Sequence, residues 1–168
     1  MELINVIEDR YSVRGFTNQE IEKEKLDAVL EAGRLAPTGV NFQPFKVYVI
    51  DTKENKEELT KIYSQPWFVE APIVLAVVVD KTKSWTRPWD GKNIADIDGT
   101  IVMDHMILRA TDLGLGTCYI AAFKKEEAIE FLDLDENEEP VLFTPLGYPN
   151  AKRSDRPRKP IDELVVYK

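Results

Sequence analysis

Ile73-Val-Leu-Ala-Val-Val-Val79 is seven apolar residues without a break, five of them β-branched. An alternating strand would leave one face for water. A continuous run of this kind reads instead as a strand buried on both faces. Upstream, Phe45-Lys-Val-Tyr-Val-Ile50 alternates and reads as a second strand, and Val141–Leu146 downstream reads as a third. Between them, residues 94–113 carry apolar side chains at 94, 97, 101, 102, 103, 106, 107, 108, 110 and 113. That exceeds one amphipathic stripe and predicts a long helix buried on several sides. Two settings satisfy it equally: a central core helix, or a helix at a subunit interface.

The remaining pattern is helical or irregular. Residues 2–8 predict a short helix. Thr17 with Glu20 reads as a capping box for a helix from about Ile21 to Leu35, with Leu26, Val29, Leu30 and Gly33 on one face. Pro37 and Gly39 stop it. Residues 53–63 and 124–132 suit polar-faced helices, and Thr117–Ala121 a short strand after Gly114. Residues 81–93, with Trp85 and Trp89, are irregular. Tyr148–Pro160 is a polar arm leading to a last strand, Leu164–Tyr167. A connection of this length is no local hairpin, so the arm reaches a distant sheet edge, of this chain or of a partner.

Composition removes several function classes. The chain has 168 residues, 43% apolar and 31% charged, which suits one domain with a real core. Its formal net charge is -8, so a general nucleic-acid binder is not expected. One cysteine, Cys118, excludes an intramolecular disulfide, and with one histidine, His105, a transition-metal site is not expected. No run approaches the roughly 20 apolar residues of a membrane span. The N-terminus lacks the basic-then-apolar pattern of a secretory leader. The expected location is the cytoplasm.

Charge is unevenly placed. Residues 150–168 carry a net of +3, against -11 for residues 1–149. An anionic ligand must therefore sit where the few arginines converge: Arg10 and Arg14, or Arg156 and Arg158. The chain has no GxGxxG, phosphate-loop, HExxH or GxSxG motif, so its side chains offer little hard chemistry of their own. An enzyme of this sequence needs an organic cofactor.

Three segments carry a joint signal. Arg10-Tyr-Ser-Val-Arg14-Gly-Phe16 puts two arginines and a serine on one side of an extended backbone, a grip for phosphate. Ala36-Pro-Thr-Gly-Val-Asn41-Phe-Gln43-Pro-Phe45 closes a helix and opens a strand, with two amides available. Gly114-Leu-Gly-Thr-Cys-Tyr-Ile-Ala-Ala122 lets backbone N–H groups approach a flat ligand. Singly, the second also reads as a helix stop and turn, and the third as a glycine cap and core strand. In this order, and joined by Leu146–Pro149 and the Arg156-Pro-Arg158 arm, they resemble the FMN-dependent nitroreductase family, in its small members, over essentially the whole length.

That resemblance implies an α+β nitroreductase-like fold: a central, mainly antiparallel sheet flanked by helices, in an intertwined homodimer with exchanged C-terminal strands. Residues 1–168 would be a single nitroreductase-like domain, with 148–168 the arm to the partner. FMN would be held at two sites built from both subunits. Arg10, Ser12, Arg156 and Arg158 would take its phosphate, and Arg14 its pyrimidine side. Pro37, Thr38, Gly39 and Asn41 would come from the partner. Tyr119, Ile120, Ala121 and Ala122 would lie along the ring, with a backbone N–H near N5, and Gln65 would add a polar contact. Larger members often carry a carboxylate where this chain has Ala121, and Asn and Lys where it has Ser64 and Trp67. No side chain would be catalytic in its own right. NADH or NADPH would pass a hydride through flavin N5 to a nitroaromatic, quinone or similar acceptor in a ping-pong cycle, and reductive dehalogenation is a variant. Two other classes fit the sequence: an FMN carrier or regulator without robust turnover, and a cofactor-free protein docking a basic partner on the acidic 124–139 face.

Overall fold

The computed structural model describes residues 1–154 and 156–168. Nine elements follow in chain order: α1 (Leu3–Asp9), α2 (Lys23–Arg34), β1 (Phe45–Asp51), α3 (Thr52–Ile62), β2 (Ile73–Asp80), α4 (Ala95–Asp112), β3 (Gly116–Thr117), α5 (Lys125–Leu132) and β4 (Glu138–Gly147). The strands form one antiparallel sheet in the order β1-β2-β4-β3.

The apolar run is β2, and its side chains divide by the two-residue period of a strand. Leu75 and Val77 point to one face, where Val102, Met103, Met106 and Ile107 of α4 and Val29 of α2 cover them. Val74, Ala76 and Val78 point to the other, against Leu59 and Ile62 of α3, Ala128 and Leu132 of α5, Phe68 and Phe143. The sheet is thus a filled middle layer. Phe143 and Leu75 are both fully buried, and truncating either to Ala would remove ~3–5 kcal/mol of transfer and packing energy. Two glycines set the helix distances. A Cβ on Gly33 would stand 2.9 Å from Met106 Cγ, and one on Gly99 2.9 Å from Val79 Cγ1. β4 has one extra residue, Val141, opposite Val77 and Val78, so the register shifts there.

Three expectations need revision. The capping box does not form: α2 begins at Lys23 after Glu22, with no side-chain cap. Residues 15–17 are instead zipped to the chain after β4, through Thr17 N–H to Tyr148 O at 2.9 Å and Asn150 N–H to Gly15 O at 3.1 Å. This long-range pairing fixes the backbone of Thr17 before a helix can start there. Thr117–Ala121 shrinks to β3 and a lone bridge between Ile120 and Phe143. Leu164–Tyr167 forms no strand within one chain. It follows a single 3-10 turn, Ile161–Glu163, and Val166 and Tyr167 are 80% and 92% exposed.

Candidate functional site

The site begins where α1 ends. The chain leaves α1 extended, and Ser12 forms a parallel bridge to Thr117 while Val13 N–H donates to Thr117 O at 2.9 Å. This lays the Arg10–Arg14 strip beside the Gly116–Ile120 loop. Behind the strip, burial pushes the Cys118 thiol up, while Arg14, Ser12 and Arg10 pull it the other way.

The C-terminal arm closes the other side. Tyr11 Oη donates to Ala151 O at 3.0 Å. Arg153 pairs with Asp9 at 3.4 Å and donates to Glu8 O. Together these bring both ends of the chain around one cavity of about 690 Å³. Its lining includes Arg10, Ser12, Arg14, Arg153, Arg156 and Arg158. Among the described residues, Arg10, Arg14, Arg156 and Arg158 have no carboxylate partner; Arg156 only donates to Ser154 Oγ at 3.3 Å. Guanidinium forks and hydroxyls around one space are the donor set of a phosphate monoester. The residues present therefore fit the phosphate end of FMN.

The ring-side candidates divide. Arg14 lies over the Trp67 ring, 5.8 Å from its centroid, and Trp67 packs edge-on against Tyr63. Gln65 precedes the 3-10 turn that carries Trp67; it is exposed, makes no side-chain cap bond and does not line the arginine cavity. Tyr119 donates its hydroxyl to Asp104 of α4 at 2.7 Å. Burial, this hydrogen bond and the Asp104 charge push its phenol well up, with Arg10 opposing. The hydroxyl is thus held as a donor, and it ties the loop to α4. Ile120 is pinned by two backbone hydrogen bonds to Phe143, which leaves Ala121 and Ala122 exposed just beyond. Pro37, Thr38, Gly39 and Asn41 line no part of the arginine cavity of their own chain. They sit against the start of α4, where Gly39 N–H donates to Asp98 Oδ1 at 2.9 Å.

Arg153 and Asp104 take part in this arrangement and were not singled out by sequence. For Arg153 the only signal was the basic run of the arm, which gives it no distinction from Lys152. Asp104 is one of several acidic residues on α4, and nothing local links it to Tyr119.

Known proteins agree with the architecture. The model of the nitroreductase family matches residues 7–65 and 59–148. The chain belongs to the nitroreductase family. A nitroreductase family protein from Clostridium difficile 630 has a structure that superposes with a TM-score of 0.93, at 38% identity, over 100% of this chain and 99% of that one. Another, from Clostridium novyi NT, gives 0.82 at 32% identity over 92% and 90%. The "FMN reductase [NAD(P)H]" of Bacillus subtilis (strain 168) is 27% identical over 175 residues, 95% of this chain and 70% of that protein. The arginine cavity of this nitroreductase family member is therefore built on a fold shared from end to end with the Clostridium difficile protein. No helix among the described residues is long and apolar enough to cross a membrane.

Proposed function

We propose that this chain is an NAD(P)H-dependent flavin oxidoreductase that holds FMN through the arginine cavity. The observation that carries the reading is the gathering in one space of four guanidinium groups, two from each end of an acidic chain, that have no carboxylate partner among the described residues. Like charges repel, and although Glu8 and Asp9 also line the space, an anion between the arginines offsets that repulsion. Arg10, Ser12, Arg156 and Arg158 bind the phosphate. Arg14, steadied by Trp67, stands at the pyrimidine side, where a cation favours negative charge. The Tyr119–Ala122 loop lies along the ring, its two alanines leaving room for a flat group, and Gln65 supplies a polar contact.

When bound, FMN supplies the redox chemistry, taking a hydride from NADH or NADPH and passing two electrons to a nitroaromatic, quinone or similar acceptor. The residues of the chain orient, neutralise charge and exclude water, and none is required as nucleophile or general base. Residues 1–168 act as one domain whose arm, 148–168, reaches a second copy. Two features support a homodimer. Leu164, Val166 and Tyr167 are apolar residues left largely exposed in the single chain. Among the described residues, β1 is an open sheet edge seven residues long, paired only with β2. The last residues of one copy add to the β1 edge of the other, and Pro37, Thr38, Gly39 and Asn41 then face the partner's cofactor.

The test is the visible spectrum of the purified protein, with sedimentation in parallel. The expected result is a yellow dimer whose flavin band bleaches with NADH or NADPH and returns with a quinone. A flavin that binds but does not bleach returns the carrier reading. A colourless protein that takes up no added FMN overturns the assignment.

A further inference from the structure

Thr38–Gln43 is a strained loop. Val40, Asn41 and Gln43 have φ of 45°, 60° and 51°, the left-handed region that non-glycine residues avoid, and a β-branched residue most of all. The strain turns Val40 and Phe42 outward, both more than half exposed. In an isolated chain this arrangement is doubly unfavourable: a costly backbone displays apolar side chains to water. Such strain persists only where the surroundings over-determine it.

The surroundings supply few ties. Thr38 Oγ1 accepts from Gln43 N–H at 3.0 Å, and Gln43 Nε2 donates to Asn41 O at 3.2 Å, but both bonds are exposed and internal to the loop. Among the described residues, the one hydrogen bond from residues 37–42 to another element is Gly39 N–H to Asp98 Oδ1, at 2.9 Å. Asp98 lies in the first turn of α4 and is 1% exposed. Its other oxygen, Oδ2, is buried without a partner. A Cβ on Gly39 would stand 2.4 Å from Ile94 Cδ1, so the loop backbone is pressed directly onto the helix start. Burial pushes the Asp98 carboxyl up, and the Gly39 N–H works against that shift. A carboxyl kept buried with one oxygen unanswered is retained for the bond made by the other.

We propose that Asp98 is a positioning residue: by holding Gly39 it fixes the strained Thr38–Gln43 loop in one preformed shape and so sets the apolar wall, Val40 and Phe42, against which the cofactor ring of a second copy and the aromatic acceptor lie. The wall's occupant rests on the flavoprotein reading above; the anchoring of the loop does not. A flat apolar ring fits because the exposed side chains are apolar and the backbone carrying them is rigid, so little ordering remains to be done on binding.

The experiment has two arms. In protein stripped of FMN, hydrogen exchange is followed at the amides of residues 39–43. In the wild type, the Gly39 amide is expected to exchange as slowly as the amides of β2, through global unfolding only. Asp98→Ala should speed exchange across the loop by ~10-fold or more, and Asp98→Asn, which keeps an acceptor in place, should restore most of the protection. In loaded protein, Asp98→Ala should lower kcat/KM for a quinone ~10-fold, chiefly through KM, with a changed visible circular dichroism of the flavin. A Gly39 amide exchanging in the wild type as fast as those of residues 152–154 overturns the anchoring, whether or not the variants fold. Fast exchange in Asp98→Ala with unchanged KM and dichroism overturns the wall. Failure of the wild type to take up FMN would instead strike the flavoprotein reading and leave the exchange result standing.

Discussion

Two cationic regions of this molecule behave in opposite ways. Around the end of β2 and the start of β4, four lysines have each found a carboxylate. Lys46 pairs with Glu138 at 2.5 Å, Lys83 with Asp80 at 2.6 Å and Lys125 with Glu139 at 2.7 Å, while Lys81 reaches Glu139 as well. At the junction of α1 and the arm, Arg10, Arg14, Arg156 and Arg158 have found none among the described residues, and only Arg153 is paired. Carboxylates outnumber cations in this chain, 30 to 22, so unpaired cations are not a matter of supply. The contrast separates charges that hold the fold from charges reserved for a ligand. Paired lysines are stapled locally to the sheet. The arginines are brought together from residues more than 140 positions apart and left facing one space.

Three substitution experiments bear on that contrast. The largest effect is expected at the unpaired end. Each charge-assisted hydrogen bond lost to a phosphate costs ~1.5–3 kcal/mol. Arg10→Ala should therefore weaken FMN retention by about 10- to 100-fold, and Arg10→Ala with Arg156→Ala by more than either alone, read by equilibrium dialysis of the flavin. Wild-type affinity in the double variant would erase the distinction between the regions. At the paired end, Glu139→Gln leaves Lys81 and Lys125 without their shared partner. Exposed pairs contribute little, so the expected cost is under about 1 kcal/mol in urea unfolding, with FMN affinity unchanged. A loss of flavin here would mean that the paired end also serves the ligand.

The smallest effect sharpens the comparison through pH. Hydrogen bonds from Lys83 and Thr82 hold the Asp80 carboxyl at about 2, below its usual 3.8. A depressed carboxyl contributes stability above its unfolded value and loses it as pH falls toward the folded one. The wild type should therefore lose melting temperature between about pH 4 and pH 2 partly through this group. Asp80→Asn should melt at most ~2–4 °C lower at pH 7 and show a shallower decline over that window. Parallel declines in the two proteins would mean that the Asp80 contacts contribute nothing to the fold.

Legibility in the sequence followed the range of the forces involved. β2 was readable because burial on both faces demands an unbroken apolar run, and α4 because two layers of contacts leave a wide apolar arc. Arg10, Ser12 and Arg14 were readable as a phosphate grip because their alternation is local. The start of α2 was not. Thr17 and Glu20 satisfy the local rule for a capping box, but hydrogen bonds to Tyr148 and Asn150 claim that stretch of backbone first. Asp98 was invisible for the same reason: an aspartate in the first turn of a helix is ordinary by pattern, and only its burial against Gly39 gives it a role.

The amino-acid sequence alone determined the strands β1, β2 and β4 and the five helices in outline, and that an acidic chain carries its spare arginines near its two ends. Those properties depend on side-chain pattern and composition, which are written along the chain. Only the tertiary structure decided that the two ends meet, that Arg153 ties the arm to α1, and that the Thr38–Gln43 loop lies away from the cavity of its own chain. Such outcomes depend on contacts between residues far apart in sequence, where packing and backbone hydrogen bonding outweigh local preference.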